Sequence, residues 1–438
     1  MSSFYFVSLG CPKNRVDTEA AVAALINAGH RPADSPEQAD LLVVNTCSFV
    51  VDAREESVDT LLELAQFKAQ RPGVRLVAMG CLGQQSGDDL LKAMPEVDLV
   101  LGTGEVGNLP TLLASPGAER SHTSGSTFLP AQRTERVLTQ SPAFAYLKIG
   151  DGCSRKCSFC TIPSIKGPFK SRPADALVEE ARTLAAAGVK ELVLVAQDVT
   201  QYGYPQANKA LPDLLDRLET VDGIQWIRLM YLYPETLAEP IVHRLGRGKI
   251  VPYVDIPIQH IDDGVLRAMK RGTTERGVRA LIEKIRVTRP EVAIRTTLIV
   301  GFPGETQEAF DKLKSFVQES DFEHLGVFTY SAEPGTPAAA LESPVPRPIR
   351  AQRQATLMEM QGAASKARNE TLVGSVQQVL VEGHSEENIG VPYGRTRHQA
   401  PEVDGVVYLD DFEGHPGDLV DVTITGSSEY DLVGTPEE

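Results

Sequence analysis

Cys153, Cys157 and Cys160 stand close together in Asp151-Gly152-Cys153-Ser154-Arg155-Lys156-Cys157-Ser158-Phe159-Cys160. The C-x-x-x-C-x-x-C spacing offers three thiolates, with no histidine nearby to complete a set of four. A structural zinc takes four protein ligands in a tetrahedron. A four-iron cluster takes one ligand per iron. Three cysteines therefore leave one iron open to a small molecule, with the aromatic Phe159 just before the last thiol.

The other three cysteines of the chain are Cys11, Cys47 and Cys81. Each follows a short apolar run: Phe4-Tyr5-Phe6-Val7-Ser8-Leu9, Asp40-Leu41-Leu42-Val43-Val44-Asn45-Thr46 and Val74-Arg75-Leu76-Val77-Ala78-Met79-Gly80. Such β-branched runs read as buried parallel strands, and helical stretches, Asn14 to Ala28 and Ala53 to Lys68, alternate with them. Ligands of such sheets gather beyond the carboxyl ends of the strands. The three thiols are thus expected to meet in one crevice and hold a second cluster with its own open iron. Asp17 and Glu19 read as acidic residues at a helix start.

The elements that must position these groups divide the chain. Residues 1–131 read as a doubly wound parallel sheet, with Ser115 to Thr139 as a linker. Residues 142–341 alternate strands and helices from Phe144 to Tyr330, giving a partial (β/α)6 barrel with the cysteine loop after its first strand. Residues 342–372 form a helical linker. Residues 373–438 carry short strands between turns and read as a small closed barrel of the oligonucleotide-binding kind. The fold class is α/β with this β-barrel appended.

The whole chain resembles the methylthiotransferases, and the C-x-x-x-C-x-x-C loop resembles that of the radical S-adenosylmethionine (SAM) enzymes. The family has an amino-terminal domain with three cysteines, a radical SAM partial barrel and a terminal TRAM barrel. Ser8-Leu9-Gly10-Cys11-Pro12-Lys13-Asn14-Arg15-Val16-Asp17 resembles the branch that modifies ribosomal protein S-twelve. The resemblance implies two [4Fe-4S] clusters, one on each cysteine triad, with SAM on the open iron of the first. It places Phe159, Gln197, Asp198, Gln259, His260, Thr297, Gly301 and Glu305 around SAM. The first SAM motif departs from the usual Gly-Gly-Glu type, being Ala196-Gln197-Asp198. No other catalytic residue stands out. The reaction implied is methylthiolation of the β-carbon of an aspartate in S-twelve, free or in the small ribosomal subunit. A flavodoxin or ferredoxin would be the electron donor. Two other readings remain at this point: a tRNA adenosine methylthiotransferase, or a non-enzymatic iron-sulfur factor that binds the ribosome.

Charge bears on the substrate class. The formal net charge is −16. From Val373 onward, acids outnumber bases by fourteen to two, and there is no lysine. Phosphate backbones are bound through Lys and Arg, so this unit is expected to repel tRNA and favour a basic protein partner. No apolar run is long enough to span a membrane, and the start shows no signal peptide. Thiolate ligands need a reducing compartment, so a cytoplasmic location with no membrane partner is expected.

Overall fold

The computed structural model describes residues 2–115, 119–123, 128–130, 135–204, 210–385, 388 and 390–437. The amino-terminal unit is a parallel sheet. Its spatial order is Arg31–Pro32, Ser3–Ser8, Leu41–Thr46, Arg75–Gly80, Leu99–Leu101 and Ser121–His122. Chain order reverses between Ser3–Ser8 and Leu41–Thr46. That reversal is the switch point where open α/β sheets bind ligands, and Cys11 and Cys47 follow these two strands.

Both faces of the sheet are covered, which explains its unbroken apolar runs. Leu42, Val44, Leu76 and Ala78 pack under Leu61, Leu64 and Ala65 of the helix Val51–Gln70. Leu41, Val43 and Val77 pack under Ala20, Ala21 and Leu25 of the helix Pro12–Asn27. The stretch read as a linker is partly structural. Ser121–His122 adds the last strand of the sheet, and Arg136 is buried between Glu19 and Glu180.

The central unit holds six parallel strands: Phe144–Lys148, Glu191–Val195, Trp226–Leu229, Tyr253–Asp255, Ala293–Val300 and His324–Thr329. They form two three-stranded sheets. The sheets meet where Leu232 N–H donates to the Asp255 carbonyl at 2.9 Å. The result is an open arc in chain order. Leu192 and Leu194 face the outer helices, while Val193 and Val195 face the lumen.

Neighbouring units fill that lumen. Val16 of the first helix and Leu380 and Ala400 of the terminal barrel share one apolar cluster with Tyr146, Val193, Trp226 and Tyr253. The terminal unit is a closed barrel of Val376–His384, Pro392–Thr396, Val407–Leu409, Leu419–Ser427 and Leu432–Pro436. The helix Arg347–Leu372 joins it to the arc, with Leu357 fully buried.

Ions lock the terminal barrel to the arc. Arg228 Nε donates to Glu191 at 2.6 Å, Arg395 donates to the other Glu191 oxygen at 2.7 Å, and Arg395 Nε reaches Glu382 at 2.6 Å. Tyr146 and Tyr253 donate their hydroxyls to Glu402 and Asp404, both at 2.8 Å. Several acids of the acidic terminal unit are therefore spent inside the molecule. Asp410, Asp411 and Glu413 stay exposed.

Candidate active site

The six cysteines fall into two groups of three, all free thiols. Cys153 feels Cys157, and Cys160 feels both Cys157 and Cys153. Cys81 feels Cys11 and Cys47 in the same way. Glycines with left-handed backbone make room for three of the cysteines. Gly10, Gly80 and Gly152 precede Cys11, Cys81 and Cys153, with φ of 87°, 98° and 80°. A Cβ on Gly10 would sit 3.0 Å from the Cys47 sulfur, and one on Gly152 would strike the Pro168 carbonyl at 2.4 Å. Only glycine supplies both the conformation and the space.

Burial pushes Cys81 and Cys160 up to about 12 and raises Cys47 and Cys153. Such thiols stay neutral without metal, and iron binding must displace their protons. Among the described residues no three metal-ligating side chains converge on a single ion. A cubane takes each thiolate on a separate iron, so its ligands need not meet at a point. With all six cysteines used, neither triad has a fourth thiol. The donor sets thus fit clusters that each keep an open iron.

Around Cys153, Cys157 and Cys160 the loop is clamped by cations and a ring. Tyr233 lies between Arg155 and Arg271, whose guanidinium carbons stand 4.0 and 3.9 Å from its centroid. Tyr233 Oη is 3.7 Å and Arg271 3.8 Å from the Cys157 sulfur. Asp198 is buried and accepts from Arg155 Nε at 2.8 Å and Gln201 Nε2 at 2.9 Å, and Gln201 reaches Cys153 at 3.8 Å. Asp198 thereby holds the cysteine loop. Nothing in the sequence marked Tyr233 or Arg271, since both reach the loop from distant barrel turns.

Of the other residues expected around SAM, Gln197, Gln259, His260, Gly301 and Glu305 follow barrel strands, Thr297 lies within Ala293–Val300 and Phe159 in the cysteine loop. Gln197 Nε2 donates to Asp151 at 2.6 Å, while its buried Oε1 has no partner among the described residues. Gln259 adopts φ 77° and also leaves a buried Oε1 without a partner. Its backbone pairs with Thr297 at 2.8 Å. His260 is fully buried, and its Nδ1 accepts from the Asp262 N–H at 3.0 Å. Burial lowers it to about 4, so the ring is neutral. Its Nε2 lies 3.7 Å from Glu305. Phe159 packs beside Val265, Met269 and Phe302.

The turn at Gly301 closes on itself. Glu305 accepts from Gly301 N–H at 2.6 Å and Phe302 N–H at 3.3 Å, and Arg353 of the long helix donates to it at 2.6 Å. A Cβ on Gly301 would overlap Arg350 at 2.2 Å. Glu305 is accordingly committed to the turn and the long helix.

Between the triads lies a buried charge cluster. Asp17 and Asp151 are bridged by two lysines. Lys148 pairs with Asp17 and lies 3.3 Å from Asp151; Lys166 lies 3.4 and 3.3 Å from the same two. All four side chains are at most 3% exposed. Burial works against the charge of Asp151, and Lys166 and Lys148 outweigh it, holding the carboxyl well below its usual range. The helix-start reading of Asp17 and Glu19 is thereby corrected. Cys11 is the N-cap, and in the second turn and beyond Asp17 and Glu19 are buried, Asp17 against Lys148 and Glu19 against Arg136. Asn14 and Asn45 tie the strand ends together, Asn45 Nδ2 donating to the Asn14 carbonyl at 2.8 Å.

Comparison with known proteins finds three matching family models along the chain. Residues 3–102 match the model "Uncharacterized protein family UPF0004", 147–317 the radical SAM superfamily and 373–436 the TRAM domain. A ribosomal protein uS12 methylthiotransferase RimO of Anaeromyxobacter sp. (strain Fw109-5) is 45% identical over 432 residues, covering 98% of this chain and 92% of that one. Its counterpart from Pelobacter propionicus is 44% identical over 437 residues, covering 99% and 97%. The chain belongs to the RimO methylthiotransferase family. Membership brings a radical SAM domain, and with it SAM and one [4Fe-4S] cluster. Among solved structures, the radical SAM methyltransferase TsrM of Kitasatospora setae is similar in fold. Its TM-score is 0.57 at 15% identity, covering 86% of this chain and 77% of that one. No helix among the described residues is long and apolar enough to cross a membrane.

Proposed function

We propose that this RimO-family enzyme adds a methylthio group to the β-carbon of an aspartate in ribosomal protein uS12, the S-twelve protein above. The observation that carries the reading is the placement of two glycine-cradled cysteine triads on either side of one buried charge cluster. A cluster held by Cys153, Cys157 and Cys160 would supply the electron that splits SAM, and a second [4Fe-4S] cluster held by Cys11, Cys47 and Cys81 would carry the sulfur that a second SAM methylates. The chain's own residues orient and enclose. Arg155, Tyr233 and Arg271 steady the SAM-side loop. The unpartnered Gln197 Oε1, Gln259 Oε1 and His260 Nε2 are polar groups suited to SAM, with Thr297 and Gly301 framing the pocket. Asp17, bridged to Lys148 and Lys166, fixes the distance between the triads. Such fixed alignment is the protein's main contribution when a cofactor carries the bond breaking.

The exposed acids Asp410, Asp411 and Glu413 favour a basic protein over tRNA as substrate. A low-potential flavodoxin or ferredoxin is the proposed reductant, and the cytoplasm the proposed location. The test is mass spectrometry of uS12 and of tRNA, each incubated with the reconstituted enzyme, SAM and dithionite. A methylthio group on uS12 alone is expected. Modification of tRNA alone would overturn the substrate and leave the cluster chemistry standing.

A further inference from the structure

Three lysines are buried where the two cysteine triads face each other. Lys148 and Lys166 each have the carboxylates of Asp17 and Asp151. Lys13 has none. It is 7% exposed, two residues beyond Cys11, and its ammonium lies 3.8 Å above the Tyr231 ring. Among the described residues nothing accepts a hydrogen bond from it. An ammonium desolvated without a carboxylate or carbonyl is costly, and an aromatic face offsets only part of that cost.

The surroundings suggest what is missing. Lys13 feels Cys11 of one triad, Asp151 at the head of the other triad's loop, and Asp255 of the barrel. Tyr231 is itself held at φ 57°, an uncommon backbone for a bulky side chain. Its N–H is tied to Asp255 at 3.0 Å. The ring is thus fixed under the ammonium, and the three hydrogens of the ammonium remain unused.

We propose that Lys13 receives the side-chain carboxylate of the aspartate to be modified, as a substrate-binding and specificity residue. The inference rests on the function proposed above. An aspartate whose β-carbon lies between the two clusters must carry its carboxylate into the same desolvated gap. A buried anion needs a hydrogen-bonded counter-charge there, and the other two lysines are already occupied. One ammonium held on a fixed ring also sets the direction in which the β-carbon projects. An asparagine at the same position would bring an amide oxygen but no charge to pair directly with the ammonium.

The test measures equilibrium binding of a fluorescent uS12 peptide to the reconstituted, SAM-loaded enzyme without reductant. The peptide is compared with one carrying asparagine at the target position. A charge-assisted hydrogen bond predicts that the wild type favours aspartate by about ten- to a hundredfold. Lys13→Met should reduce that preference to parity, and Lys13→Arg should restore part of it. Iron content of Lys13→Met should match the wild type. A Lys13→Met enzyme that keeps the aspartate preference overturns the proposal while uS12 remains the substrate. Loss of iron from Lys13→Met also overturns it, since the lysine would then belong to the auxiliary cluster. A wild type that binds neither peptide and modifies no uS12 removes the proposed function, and this inference with it.

Discussion

The two cysteine triads use opposite kinds of scaffold. Cys11, Cys47 and Cys81 come from three separate strand ends, and the sheet's hydrogen bonds set their spacing. Cys153, Cys157 and Cys160 come from one loop, whose shape is set by Arg155, Tyr233, Arg271 and Asp198 reaching in from elsewhere. The first triad is preformed by the fold; the second is held by side chains. A loop can admit a small molecule and adapt to it, whereas a sheet edge keeps its thiols in place during a reaction. The difference matches a site that must exchange SAM and one that must stay still.

The largest effect is expected at the loop. Changing Cys153, Cys157 and Cys160 together to Ala should abolish 5′-deoxyadenosine formation and halve the iron, from about eight per chain at four per cluster. Residual SAM cleavage would sink the division of roles. The companion triple change of Cys11, Cys47 and Cys81 to Ala should also halve the iron and stop methylthio transfer. Deoxyadenosine should remain measurable, with circular dichroism reporting that the sheet is intact.

A smaller effect is expected at the joint between the triads. Asp17→Asn leaves Asp151 as the one carboxylate against Lys148 and Lys166. Breaking a buried pair in this way should cost roughly 3 kcal/mol, read by denaturant unfolding. Unaltered stability would mean that the lysines find other partners.

The last effect is a change of slope with pH. Burial lowers His260 from 6.5 to about 4. Between those values the unfolded chain binds a proton that the folded one refuses. Stability therefore rises with pH across that window, and is lost as pH falls through it, by up to about 3 kcal/mol. Unfolding free energies of His260→Gln should fall less steeply from pH 6.5 to 4; an identical slope would show that burial is not what depresses the ring.

What the sequence made legible was local. Apolar runs ending at cysteines, and the loop spacing itself, are patterns of neighbours, and the structure has strands ending at Ser8, Thr46 and Gly80. The partners of those sites were not legible, because they are joined only by folding: Asp17 and Lys148 are 131 positions apart. Asp17 read as a helix-start acid because its role depends on which face of the helix meets the barrel. The charge of the terminal unit was legible as a sum, but not in its division. Glu382 pairs with Arg395 inside the barrel, Glu402 and Asp404 accept hydroxyls of the arc, and only the remainder is free to meet a partner.

That division bears on how the protein can be taken apart. The terminal barrel supplies the stopper of the arc: Ala400 fills its lumen, and Glu382 and Arg395 complete a chain of charges begun by Glu191 and Arg228. A gene cut at the linker helix would not yield a lean catalytic fragment. It would yield an arc with an open floor and a buried Glu191–Arg228 pair stripped of Arg395. Exchanging terminal barrels between relatives to retarget the enzyme would succeed only if the graft carried its half of the ion chain. The unit most easily taken for a detachable substrate handle is, in assembly terms, a keystone.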